Sequence, residues 1–154
     1  MRITILGAGN IGLAAGTKWK AKGHDITFGV RDPQSQKAWN AINIGAKVTT
    51  FQESMTDAEV VLVAIPFGVA DEVLKSIDVE WDGKIIIDAT NPISVSTEPF
   101  ESAAEAISAW TGSADVVKAF NTTGVGNMTN PEYNGKAIET FICGDEVASK
   151  QTVS

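Results

Sequence analysis

The chain has 154 residues, with 12 basic against 19 acidic side chains and a formal net charge of −7. A sequence pI of 4.6 excludes general affinity for nucleic acid or an anionic membrane surface, one local basic pocket aside. Apolar residues at 44% suffice for one packed domain, while a single cysteine rules out an intramolecular disulfide and a single histidine nearly excludes a His/Cys zinc site.

Arg2 to Leu6 is a β-branched run stopped by Gly7 and reads as a strand. Asn10 to Lys22 reads as a helix, with Lys18, Lys20 and Lys22 near its negative end and Gly23 as its stop. Asp25 to Val30 is a second strand. Asp32-Pro33 has the form of an N-cap followed by a first-turn proline, which predicts a helix to about Ile44. Lys47 to Thr50 predicts a short third strand, and Phe51 to Ala58 one or two helical turns. Val60 to Ile65 is almost wholly apolar, as in a strand buried on both faces, and Pro66 ends it. A helix over Val69 to Ser76 and a buried strand over Lys84 to Asp88 follow. Ala89 to Pro99 is a proline-marked loop before a helix near Ser102 to Trp110. Val116 to Phe120 is the next strand and Asn121 to Asn134 a long polar loop. Ala137 to Cys143 reads as a last strand, and Asp145 opens a helix.

Strands alternating with helices predict an α/β fold, a doubly wound parallel sheet of the Rossmann type in one domain over residues 1–154. In such a sheet the ligand lies outside the carboxyl ends of the strands, so residues that follow a strand are candidates. Gly7-Ala8-Gly9-Asn10-Ile11-Gly12 fits G-x-G-x-x-G directly between a strand and a helix. The first glycine serves the tight turn, the second admits a pyrophosphate and the third lets the helix approach the sheet. Free amides near Asn10 and Ile11 suit phosphate oxygens. The second strand ends without a carboxylate and is followed by Arg31, whose guanidinium can grip a 2′-phosphate. This favours NADP(H) over NAD. Asp32 is the counterargument, at about the right spacing for a ribose ligand, and is assigned to capping because Pro33 follows it.

Ala64-Ile65-Pro66, Asp88-Ala89-Thr90-Asn91-Pro92 and Phe120-Asn121-Thr122-Thr123 end three further strands. The amides and hydroxyls of the last two suit a nicotinamide carboxamide or a second planar ring. His24 precedes a strand, so it falls at the wrong edge and reads as a surface turn residue. Cys143 reads as a buried thiol, and Trp19, Trp39, Trp81 and Trp110 as packing residues mainly on helices. Asp71 and Glu72 read as carboxylates at a helix start. No catalytic residue, Ser-His-Asp set or Walker loop is found. Ketone or alcohol reduction needs a proton donor. Hydride exchange between two cofactors needs chiefly alignment of ring faces.

Ile-Leu-Gly-Ala-Gly-Asn-Ile-Gly at 5–12, Phe-Gly-Val-Arg-Asp-Pro at 28–33, Ile-Asp-Ala-Thr-Asn-Pro at 87–92 and Val-Lys-Ala-Phe-Asn-Thr at 117–122 resemble one family throughout. It is the family of NADPH-dependent oxidoreductases acting on the deazaflavin coenzyme F-420, with its wider group of dinucleotide-binding reductases. The resemblance implies NADP binding by Gly7, Gly9, Asn10, Ile11 and Gly12, with Arg31 on the 2′-phosphate. Val30 stands where the deazaflavin enzymes carry a hydroxyl. Ile65, Pro66, Asn91 and Pro92 would line the nicotinamide side, and Asn121 and Thr122 the acceptor side, with Asn91 and Asn121 aligning the hydride. Coenzyme F-420 or a flavin is the implied second substrate. Family chains continue after Gly144-Asp145 through a helix, another strand and a segment that closes the cleft, whereas this sequence stops at Ser154 inside that helix, so the acceptor half is expected to be short here. The longest apolar stretch, Val60 to Ala70, is too short for a bilayer, and Met1 to Gly7 is no secretory signal. A cytoplasmic protein with small-molecule partners is expected, and a homodimer is left open. A non-catalytic NADP-binding sensor is the rival reading.

Overall fold

The computed structural model describes residues 1–154. Its sheet comprises β1 (Arg2–Leu6), β2 (Asp25–Val30), β3 (Lys47–Thr50), β4 (Val60–Val63), β5 (Ile85–Asp88) and β6 (Val116–Lys118). The strands run parallel in the order β3-β2-β1-β4-β5-β6. The chain winds outward from β1 to β3, then returns to place β4 on the other side of β1. That reversal is the switch point where doubly wound sheets open a crevice.

Helices cover both faces. Ile3, Ile5, Ile26, Phe28 and Leu62 pack beneath α1 (Asn10–Ala21) and α2 (Gln36–Asn43), through Ala15, Ala38 and Ala41. Leu6, Val61, Val63 and Ile86 pack beneath α3 (Phe51–Ser54), α4 (Phe67–Ser76) and α5 (Ala103–Thr111), through Met55, Leu74 and Ile107. Successive strand residues alternate between the two apolar cores. This is why Val60 to Val63 is apolar without alternation. No helix is long and apolar enough to cross a membrane.

Several local expectations are corrected. The second helix starts at Gln36, because Ser35 takes the cap and its hydroxyl accepts the Ala38 N–H at 3.4 Å. Asp32 instead closes a tight turn, its carboxylate accepting the Gln34 N–H at 2.9 Å. The helix after Pro66 starts at Phe67, so Asp71 and Glu72 lie in its second turn, and Asp71 pairs with Lys75 at 2.6 Å. Trp81 lies in a loop and is buried.

The expected strand over Ala137 to Cys143 does not form. Asn134 and Gly135 both take left-handed conformations, φ +50° and +73°. They turn a small hairpin of β7 (Glu132–Tyr133) and β8 (Lys136–Ala137) after a short helix α6 (Val125–Thr129). That turn consumes the start of the apolar run. Its far end makes one antiparallel bridge, Cys143 to Lys118, before α7 (Val147–Val153). Cys143 is exposed there, not buried.

Candidate functional site

At the carboxyl edge, the residue after each of β1, β4, β5 and β6 reaches sideways to a carbonyl at or next to the end of a neighbouring strand. Gly7 N–H donates to Gly29 at 2.9 Å, Ala64 to Leu6 at 2.9 Å, Ala89 to Val63 at 3.2 Å and Ala119 to Asp88 at 3.0 Å. These bonds set the direction in which each loop leaves the sheet. The loops after β1, β2, β4 and β5 enclose one cleft of about 620 Å³.

The glycine turn forms its floor. Gly7 has φ +105°, and a Cβ there would lie 2.7 Å from the Ala64 carbonyl oxygen across the switch point. A Cβ on Gly12 would lie 2.2 Å from the Gly7 carbonyl oxygen, so this buried glycine sets how closely α1 meets the sheet. Gly9 differs: a Cβ there would meet no atom within 4 Å, because it faces the open cleft. Helix α1 begins without a side-chain cap and without an acidic residue in its first turn. Asn10 and Ile11 therefore bring unspent amides and the positive end of the helix dipole to the cleft wall. Open space beside uncapped amides suits a pyrophosphate.

One end of the cleft is cationic. Arg31 and Lys37 both line it and neither forms an ion pair. Asp32 lines it too, with its carboxylate engaged by Gln34, while Val30 is buried beneath. The wall between the two ends is apolar, built from Ile65, Phe51, Val69 and Val73, with Pro66 at its rim. The opposite end holds Thr90 and Asn91.

Gly7, Gly9, Asn10, Ile11, Val30, Arg31, Ile65, Pro66 and Asn91 thus come together around one space, with Gly12 packed behind them. Pro92, Asn121 and Thr122 do not line it. Asn121 donates from Nδ2 to the Thr90 carbonyl at 3.0 Å, and the Thr122 hydroxyl lies 3.1 Å from that of Thr140. His24 sits at the opposite edge of the sheet, its N–H bonded to the Trp19 carbonyl.

The sequence reading missed Ser35, Lys37, Phe51, Val69 and Val73. All five lie on α2, α3 or α4 or their caps, and each of these helices starts from this edge. It also missed a buried pair: Asp88, fully buried, lies 2.9 Å from Lys118 Nζ. The available signal was a charged residue at the end of each of two otherwise apolar strands. Near the edge, α3 starts with a capping box between Thr50 and Glu53. Hydrogen bonds from the Thr49 and Thr50 hydroxyls hold the Glu53 carboxyl below the usual carboxylate range.

A glycine turn at the switch point of a 3-2-1-4-5-6 sheet, opening onto such a cleft, defines the dinucleotide-binding class of doubly wound domains. Residues 2–92 match the family described as NADP oxidoreductase, coenzyme F420-dependent. The chain belongs to that family. It is also similar to the rat (Rattus norvegicus) metalloreductase STEAP3, 29% identical over 154 residues, which covers 99% of this chain and 31% of the relative. The chain therefore spans about a third of that curated relative's length. Among solved structures, a hypothetical protein from Sinorhizobium meliloti superposes with a TM-score of 0.85 at 22% identity, covering 99% of this chain and 78% of that one. A proposed F420-dependent NADP-reductase from Arthrobacter sp. gives 0.81 at 25% identity, covering 99% and 77%. The 3-hydroxyisobutyrate dehydrogenase of Mycobacterium tuberculosis shares the fold, with a TM-score of 0.71 at 19% identity, covering 98% and 48%.

Proposed function

We propose that the chain binds NADP(H) in this cleft and passes a hydride between it and a deazaflavin (F-420) or flavin acceptor. One observation carries the reading: a single cleft joins an uncapped, glycine-floored helix start to two unpaired cations at one end and an amide side chain at the other. Gly7, Gly9, Asn10, Ile11 and Gly12 form the pyrophosphate cradle, in which Gly9 leaves the space and the α1 amides donate. Arg31 takes the 2′-phosphate, Lys37 adds a second positive charge and Val30 floors that end. Ile65, Pro66, Asn91 and Pro92 flank the nicotinamide, with Asn121 and Thr122 toward the acceptor. When bound, NADPH supplies the hydride. The residues of this chain orient rings and exclude water, and neither histidine nor thiol lines the cleft. A cytoplasmic site of action fits a reaction that draws on the NADPH pool.

The test is a fluorescence titration with NADPH and NADH, followed by oxidation of NADPH, deuterated at the transferring position, against deazaflavin and flavin acceptors. Preference for NADPH, together with an isotope effect on turnover, supports the reading. Equal affinity for the two cofactors overturns the NADP assignment. A second reading, a non-catalytic NADP-binding sensor, draws support from Asn121 and Thr122 being engaged in internal hydrogen bonds. Tight NADPH binding without turnover of any acceptor would select it.

A further inference from the structure

We infer that Lys118 is a positioning residue for the nicotinamide end of the cleft, acting through the backbone of Thr90; the inference rests on the reading just proposed and deepens it. Asp88 and Lys118 stand side by side in register at the ends of β5 and β6. The buried Asp88 carboxylate is engaged twice. Its Oδ1 accepts the Thr90 N–H at 2.8 Å, and its Oδ2 takes Lys118 Nζ at 2.9 Å. The same ammonium donates to the Thr90 carbonyl oxygen, which also accepts Asn121 Nδ2 at 3.0 Å. Both backbone polar groups of Thr90 are therefore held by side chains, with charge-assisted bonds in a site of low dielectric. The next residue, Asn91, lines the cleft. It leaves the strand from a peptide that cannot rotate without breaking those bonds.

The bland alternative is that the pair serves stability alone. A buried ion pair is seldom more stabilising than apolar residues of the same volume. Neutralising Asp88 also does not require the bond to the Thr90 carbonyl. The Thr90 hydroxyl, buried without a partner at the same wall, gives this latch a second polar group to hold in place.

The test compares wild type with the double variant Asp88→Asn/Lys118→Met. It removes both charges together and keeps an acceptor for the Thr90 N–H, so no buried carboxylate is stranded. Asn121→Ala, at an exposed position, removes the other donor to Thr90 and serves if the double variant does not fold. Two ligands are titrated, NADPH and 2′,5′-ADP, which has the adenosine half without nicotinamide. Backbone hydrogen exchange is measured without ligand. The latch predicts a Kd for NADPH raised about tenfold, with 2′,5′-ADP changed by less than about twofold. It predicts at least roughly tenfold faster exchange at Thr90 and Asn91, with β1 to β4 unchanged. For Asn121→Ala the changes are smaller and in the same direction. Equal weakening of the two ligands, or unchanged exchange at Thr90 and Asn91, overturns the inference. If wild type binds neither ligand, the cofactor reading fails, and exchange at Thr90 still decides the latch.

Discussion

Gly9 and Gly12 should respond differently to substitution, because each faces something different. Gly9 has φ −81° and ψ −175°, an extended conformation open to any residue. The Cβ of Gly9→Val meets no atom within 4 Å and its branches head into the open cleft. Loss of glycine at a helix cap costs up to about 1 kcal/mol, and the stiffer unfolded chain returns roughly 0.4–1 kcal/mol, so stability should barely change. Gly12→Ala is the control. Its Cβ must find room 2.2 Å from the Gly7 carbonyl oxygen and 3.1 Å from Ile5 Cγ2. Overpacking of this kind costs about 1–3 kcal/mol, or roughly 2–12 °C in Tm for a domain of this size. Thermal melts followed by circular dichroism, with NADPH fluorescence titrations on the same samples, separate the effects. Gly9→Val should melt like wild type and lose NADPH binding. A Gly9→Val protein that melts as early as Gly12→Ala refutes the packing argument, and one that binds NADPH normally refutes the placement of the phosphates.

On the proposed placement of Arg31 at the 2′-phosphate, Arg31→Ala should weaken NADPH about ten- to a hundredfold with little effect on NADH, the loss expected for one charge-assisted bond; parallel titrations decide it. His24→Ala should keep nearly full NADPH oxidation, whereas Asn91→Ala should slow it without a new pH dependence, since an amide does not titrate; rate profiles across neutral pH check both. Glu53 is held below the usual range in the folded chain, so its contribution is complete above the unfolded pKa and fades as pH falls through the folded value. The Tm of wild type should therefore fall more steeply than that of Glu53→Gln below about pH 4, as acid melts would show.

The sheet is legible in the sequence because strands buried on both faces become unbroken apolar runs, as at Val60 to Val63 and Ile85 to Ile87. The glycine turn and Arg31 are legible because they directly follow strands, and chain order alone puts them at the right edge. The cleft walls from α2, α3 and α4 are not. Whether Lys37 or Val69 faces a cleft depends on the rotation of its helix about its axis, which packing sets. The Asp88–Lys118 pair spans 30 residues and needs the strand order before its members become neighbours. The C-terminal hairpin escapes because the Asn134-Gly135 turn outweighs an apolar run that would otherwise make a longer strand.

The side of β6 that faces away from β5 is already occupied. Lys118 N–H donates to the Cys143 carbonyl at 2.7 Å and Cys143 N–H returns to Lys118 at 3.1 Å. Gly144 runs so close that a Cβ there would lie 2.6 Å from the Val116 carbonyl oxygen. At the other margin, β3 is four residues long and begins with Lys47. Unpaired strand margins are the usual route into fibres and strand-exchanged aggregates. In this molecule one margin is closed by its own returning chain and the other is short and charged, so crowding does not readily turn the sheet into a template.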